Sequence, residues 1–188
     1  NMLVRDSRFD PSYRDYRILE ECATEGNIQA VRFLLSHEKR SLDVITKSIA
    51  HAVRNNQPKI VQMLIDAGGK IETTDVLLSH VVGHDSVELL EIIFKHDSFE
   101  KLNFSFSLHT ACRNEENKIL TVLLEDERFP VEKESKRMLE TAISYRHTLK
   151  LELLLRCTRV VIHSELIKYA IPYPESLRLV LNCNRLGE

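Results

Sequence analysis

Ser107-Leu108-His109-Thr110-Ala111-Cys112-Arg113-Asn114 is the stretch on which the fold turns. It sets an apolar residue before a His, a variable residue and two small residues. Looser versions recur as Leu19-Glu20-Glu21-Cys22-Ala23, Ile49-Ala50-His51-Ala52-Val53, Leu78-Ser79-His80-Val81-Val82, Leu139-Glu140-Thr141-Ala142-Ile143 and Ile167-Lys168-Tyr169-Ala170-Ile171. Their first positions, 19, 49, 78, 108, 139 and 167, are separated by 30, 29, 30, 31 and 28 residues. A fixed period of this size marks a repeat architecture, in which each unit stacks on the next.

A second apolar element follows each first one. It ends in a triplet: Phe33-Leu34-Leu35, Met63-Leu64-Ile65, Ile92-Ile93-Phe94, Val122-Leu123-Leu124, Leu153-Leu154-Leu155 and Leu179-Val180-Leu181. Central pairs precede it at Ala30-Val31, Ile60-Val61, Leu89-Leu90 and Ile119-Leu120. Pair and triplet place apolar residues at i, i+3 and i+4, one face of a helix. The links inside each unit are short and polar, such as Glu25-Gly26-Asn27 and Asn55-Asn56-Gln57-Pro58. Gly and Asn there suit a left-handed helix end, and Asp85 or Ser86 is expected to cap the helix that follows it. Pro172-Tyr173-Pro174-Glu175 stops one helix and opens another.

A helix, a tight turn and a longer helix near 30 residues resemble an ankyrin repeat. Residues 107–114 are similar to that family's Pro-Leu-His-x-Ala-Ala-Arg-Asn segment, and Met63-Leu64-Ile65-Asp66-Ala67-Gly68 to its Leu-Leu-Leu-x-x-Gly ending. The resemblance implies an all-α solenoid of stacked antiparallel helix pairs. It covers residues 1–188 as one repeat domain, with repeats near 13–42, 43–72, 73–101, 102–132, 133–161 and 162–188. Residues 3–9 (LVRDSRF) mirror residues 123–129 (LLEDERF), so 1–12 read as the tail of a preceding repeat. The family's Thr-Pro before the Leu is missing throughout, so the β-hairpin loops are expected to be short or irregular. Apolar residues in those links (Leu42, Val44, Ile71, Leu102, Phe104, Phe129, Val131, Val160, Val161) are expected to pack beneath them.

Composition narrows the function. Net charge is −2 and no run of like charges forms a basic arm, so nucleic acid and anionic membrane are not expected partners. No apolar run approaches the roughly 18 residues of a membrane span. The N-terminal stretch lacks the pattern of a signal peptide, which gives the expectation of an intracellular protein. Cys22, Cys112, Cys157 and Cys183 lack paired spacing and read as reduced thiols rather than a disulfide framework.

His109 and Cys112 stand three apart on one helix face, but no second ligand pair accompanies them, so a structural role is expected over a metal site. Cys157 and His163 lack a supporting nucleophile motif. Gly68-Gly69 is a turn pair with no phosphate-loop context. The expectation is therefore no enzyme, no cofactor, no metal and no small-molecule substrate. What remains is a monomeric scaffold binding another protein, or else a spacer or regulatory repeat region of a larger protein.

In the resembled family, partners lie along a concave groove formed by fingers and first helices. Carried over by position, that surface is Tyr16, Thr46, Asp75, Ser105, Lys136 and Ser164, three before each first apolar residue. Thr24, Glu25, Arg54, Asn55, Gly83, His84, Arg113, Asn114, Ser144 and Tyr145 follow the small pairs. Tyr13, Tyr16, Tyr145 and Tyr173 map to links or helix ends, where an exposed Tyr can anchor an interface.

Overall fold

The computed structural model describes residues 11–37, 41–72, 74–96 and 104–185. Among them are twelve helices and no β-strand: α1 (Pro11–Glu25), α2 (Ile28–His37), α3 (Leu42–Arg54), α4 (Pro58–Asp66), α5 (Asp75–Gly83), α6 (Val87–His96), α7 (Ser105–Arg113), α8 (Lys118–Glu125), α9 (Val131–Ser144), α10 (Thr148–Arg156), α11 (Leu166–Ala170) and α12 (Pro174–Leu181). The chain divides into two compact units, residues 1–73 with 88–99 and residues 74–87 with 100–188. In the first, α1 packs on α2 and α3, and α4 on α2 and α3. In the second, α5, α7, α9 and α11 pack in succession, with α8, α10 and α12 set against α7, α9 and α11 respectively and α10 against α12.

The periodic apolar positions form the core. Leu19, Ile49, Leu78, Leu108 and Leu139 are essentially inaccessible, as are Leu64, Ile93, Leu123, Leu154 and Val180 at the centres of five triplets. Each such side chain contributes about 1.5–3 kcal/mol through burial. Ile167, the sixth first-position residue, is only half-buried. Helix starts are local: Ser41 Oγ accepts from the Asp43 N–H and Thr74 Oγ1 from the Leu77 N–H, while Pro58 and Pro174 occupy first turns.

The turns repeat as well. Gly26, Asn56, Asp85 and Arg146 all have φ between +51° and +75°, and each lies seven residues after the first apolar residue of its repeat. The next residue's N–H then closes on a carbonyl five back: Asn27 on Cys22, Gln57 on Ala52, Ser86 on Val81 and His147 on Ala142, at 2.9–3.2 Å. This is the Schellman arrangement, which satisfies carbonyls that the helix end leaves open. At Gly26 a Cβ would stand 2.6 Å from Gln57 Oε1, so a larger residue there requires the Gln57 side chain to move as well as a strained φ of +75°. Gly68-Gly69 closes α4 the same way, and a Cβ on Gly69 would meet Ile45 Cγ2 and Ile49 Cδ1 at 2.8 Å. The pair serves helix packing.

Three expectations need correction. The helix after each link was expected to be the longer one, which holds for α6 over α5 and α12 over α11, but α3 and α9 run 13 and 14 residues against nine for α4 and α10. Link residues join these helices: Val44 and Val131 lie within α3 and α9, buried on their inner faces. Phe104, Phe129 and Val160 are buried as expected, the two Phe rings edge to face at 4.6 Å. Leu42 and Val161, however, are exposed, Ile71 is half-buried, and Leu102 lies outside the described residues. Finally, Asp85 takes the left-handed turn itself and its carboxylate receives the Ile119 N–H at 2.8 Å, capping α8 one repeat later.

Cations join successive repeats in the second unit. Arg159 donates to the carbonyls of Leu124, Asp126 and Phe129 and to Glu132 Oε1. Arg185 donates to those of Leu155, Cys157, Thr158 and Val160. Leu155, Cys157 and Val160 stand 31 residues after Leu124, Asp126 and Phe129, so both arginines clamp the same helix end in successive repeats. Lys150, almost fully buried, carries its ammonium to the carbonyls of Ala111 and Glu116. Burial pushes its pKa down, opposed by Cys112, Asp85 and Glu116 nearby. Asp126 Oδ2 holds Arg128 at 2.5 Å, and that bond keeps its carboxyl below the ordinary value.

Two outcomes follow. Arg159→Lys loses the planar fork and is expected to cost about 2–3 kcal/mol in chemical denaturation, close to the cost of Arg159→Ala. A lysine variant within about 0.5 kcal/mol of wild type would refute the clamp. Asp126 has a depressed folded pKa, so its stabilisation is present above the ordinary value of 3.8 and disappears as pH falls through the lower folded value. Wild type should therefore exceed Asp126→Asn in stability at neutral pH, the gap closing only below 3.8.

Candidate interaction surface

The carried-over positions do not form one free surface. In the first unit, Thr24 is half-buried and its hydroxyl donates to the Glu20 carbonyl at 2.8 Å, with His51 Nδ1 3.4 Å away. Thr46 is also half-buried and receives the Lys70 N–H at 3.2 Å. Asn55 donates to the His51 carbonyl at 2.9 Å, finishing α3. Glu25 and Arg54 are exposed. Tyr13 and Tyr16 belong to the body of α1 rather than a link, because that helix begins at Pro11, and their side chains lie outside the described residues.

In the second unit, Asp75 opens α5 and is half-buried, while Gly83, His84, Ser144 and Ser164 are exposed. Ser105 bonds Glu134 on α9. Asn114 donates to the Val82 carbonyl at 2.9 Å, so it ties two repeats. Lys136 pairs with Glu165 at 3.3 Å, which raises its pKa. Tyr145 is half exposed and stacks on His147, ring centroids 6.1 Å apart. His147 in turn sits 2.8 Å from the Arg113 carbonyl. The Arg113 side chain is left exposed. Of these residues, Thr46, Asn55 and Asn114 are structural links between backbone segments.

Residues that the carried-over pattern skipped define a clearer patch together with Arg113, which it included. Val76 on α5 and Phe106 on α7 are 60% and 52% exposed. Both stand two positions before the first apolar residue, where the neighbouring repeats have Lys47 and Arg137. That mismatch, apolar residues at an outward position, was readable in the sequence. One to two turns along, His109 and Arg113 on α7 face Arg137 on α9. Partial burial, then the positive charges of Arg137 and Arg113, push the His109 pKa down. Neither guanidinium has a carboxylate partner among the described residues. Glu134, bonded to Ser105, and Glu140 are half-buried carboxylates of α9, and the buried Oε1 of Glu140 lacks a hydrogen bond among the described residues.

No group of three or more His, Cys, Asp or Glu among the described residues is placed to hold a metal ion. The His109–Cys112 pair splits, because Cys112 points into the core, where burial pushes its thiol up to about 12. Cys157 is half-buried at the end of α10 and His163 is exposed. Among the described residues no helix is long and apolar enough to cross a membrane. Compared with known proteins, the chain matches no family model and no curated relative.

The thiols give a direct check on this arrangement. Cys22, Cys157 and Cys183 are half-buried while Cys112 is sealed. A neutral-pH thiol titration of native protein is expected to leave Cys112 unlabelled, with modification appearing only on unfolding. Rapid labelling of Cys112 in the native state would contradict the packing of α7.

Proposed function

We propose that this chain is a protein-interaction scaffold of ankyrin-like helix-pair repeats, without enzymatic activity of its own. It engages a partner protein through the outward face of its first helices, the face that lines the groove in the resembled family. The observation that carries this reading is the patch of Val76, Phe106, His109, Arg113 and Arg137. Two exposed apolar side chains stand beside two unneutralised guanidiniums, on helices whose opposite sides are fully committed to the core. Aromatic and arginine side chains are the groups that dominate protein interfaces. The chemistry fits a segment that offers carboxylates next to an apolar anchor.

Support also comes from what the rest of the surface does. Most other polar groups on these helices are engaged, as with Asn114 on Val82 and Lys136 on Glu165. A scaffold that binds through the patch should capture its partner in a salt-sensitive manner. Affinity capture from cell extract is expected to lose that partner with Phe106→Ala or with Arg113→Glu/Arg137→Glu. Each single reversal should weaken binding about tenfold or more. Reversal of Arg156, exposed on α10, should leave capture unchanged. Loss with Arg156 but retention with the paired reversal would move the binding face to the second helices and overturn this reading.

A further inference from the structure

The links between paired helices are not all built alike. Gly26, Asn56, Asp85 and Arg146 turn left-handed seven residues after the first apolar residue of their repeats. The same position in the sixth repeat is Pro174, whose ring holds φ negative. Tyr173 is extended there, with φ −127° and ψ 94°, and Pro174 opens α12. Between this link and the turn of the fifth repeat lies a cavity of about 350 Å³, walled by Pro172, Tyr173 and Pro174 on one side and by Arg146 and Thr148 on the other. That is the size of a small-molecule site.

Polar groups without partners meet at this cavity. Ser176 stands three residues before its triplet, where Ile60, Leu89 and Ile119 are apolar and buried. Lys150, at the same position in the fifth repeat, places its ammonium on two carbonyls. Ser176 is 2% exposed and lines the cavity, and its hydroxyl has no hydrogen-bond partner among the described residues. The backbone N–H groups of Glu175 and Ser176, in the first turn of α12, also lack an acceptor among those residues. Such N–H groups at a helix start favour an anion.

An earlier joint of the same unit shows which anion fits. Asp85, the turn residue of the third repeat, receives the Ile119 N–H of the next repeat on its carboxylate at 2.8 Å. Ile119 and Ser176 hold the same register, and so do Asp85 and Arg146. In the fifth repeat a guanidinium therefore stands where the capping carboxylate would be. Arg146 has no ion pair among the described residues, and its guanidinium lies over the Tyr173 ring, 5.5 Å from the centroid. The start of α12 thus lacks an internal anion and has a cation beside it.

We propose that this cavity binds a small organic carboxylate, which caps α12 at Ser176 as Asp85 caps α8 and pairs with Arg146. Arginine and a helix start are matched donors for a carboxylate. Pro172, Tyr173 and Pro174 give the rest of the ligand an apolar wall, so its body is apolar or aromatic. The Glu175 carboxylate, exposed at the same cavity, opposes a dianion such as phosphate more than a monoanion. None of these residues belongs to the Val76–Phe106 patch, so ligand binding here and partner capture there can each fail alone.

The test is titration of the isotope-labelled chain with sodium benzoate, followed by NMR at the amides of Glu175 and Ser176. Benzoate is expected to shift both, saturating below about 10 mM. Benzamide, similar in shape but uncharged, should bind about tenfold or more weakly. Arg146→Gly keeps the left-handed turn, which glycine favours. It should retain full helicity and weaken benzoate about tenfold or more. Arg146→Asp restores the Asp85 arrangement, so it should abolish benzoate binding and slow hydrogen exchange at the Ser176 amide. Absence of a saturable benzoate shift overturns the proposal, as does equal binding of benzamide or full binding by Arg146→Gly. Tighter binding of inorganic phosphate overturns the carboxylate assignment. A peptide with a free C-terminal carboxylate that shifts these amides where benzoate does not overturns the small-ligand assignment.

Discussion

Short helices impose the constraint on which the second unit depends. A helix leaves its last four carbonyls without partners inside the helix, and α8, α10 and α12 run only eight or nine residues. About half of each helix's acceptors must therefore be satisfied from outside. At the ends of α8 and α10 a guanidinium from the next repeat takes one helical carbonyl, Leu124 for Arg159 and Leu155 for Arg185, together with two or three carbonyls of the link that follows. For α7 the donor is Lys150, whose buried ammonium reaches Ala111 and, in the following link, Glu116. Stacking thus completes hydrogen bonding as well as apolar burial. A repeat without its neighbour loses both, which is why the units cooperate rather than fold singly.

The helices were legible because their signal is one of period. Apolar residues at i, i+3 and i+4 followed by Gly or Asn report a helix and its end in local terms. Asn56 and Gly26 behaved as that chemistry requires. Arg146 adopts the same left-handed turn without the residue type that favours it, so nothing local announced it. The hairpin links were less legible. Whether Val131 enters a loop or a helix depends on what the other end of the segment packs against, and a buried helical stripe from Val131 to Met138 decided it.

The arginine clamps lie between these cases. Arg128, Arg159 and Arg185 each stand four residues after a triplet, a regularity visible in the sequence. Its meaning was not visible, because an arginine in a polar link normally reads as a solvated charge. Only proximity of the preceding helix end turns it into a donor. The same limit affected the interaction surface. Of the positions carried over by repeat register, Arg54 and Arg113 are exposed, while Thr24, Thr46, Asp75 and Asn114 are half-buried and several are held by backbone groups. Asn114 looks free in sequence and is bound to Val82 in the fold.

This separation explains how one framework can vary its outward face without being altered by the change. The core positions use apolar side chains of interchangeable type, and the joints use backbone carbonyls, which every residue supplies. Neither demands a particular side chain on the outward face of α5, α7 or α9. That face can accept Val76 and Phe106 where other repeats have Lys47 and Arg137, at little cost to folding. The exposed guanidiniums of Arg113 and Arg137 then differ in kind from Arg159 and Arg185, although all four are arginines. One pair is consumed in holding repeats together, and its loss should appear in stability. The other has no ion pair among the described residues, so its loss should leave stability nearly unchanged.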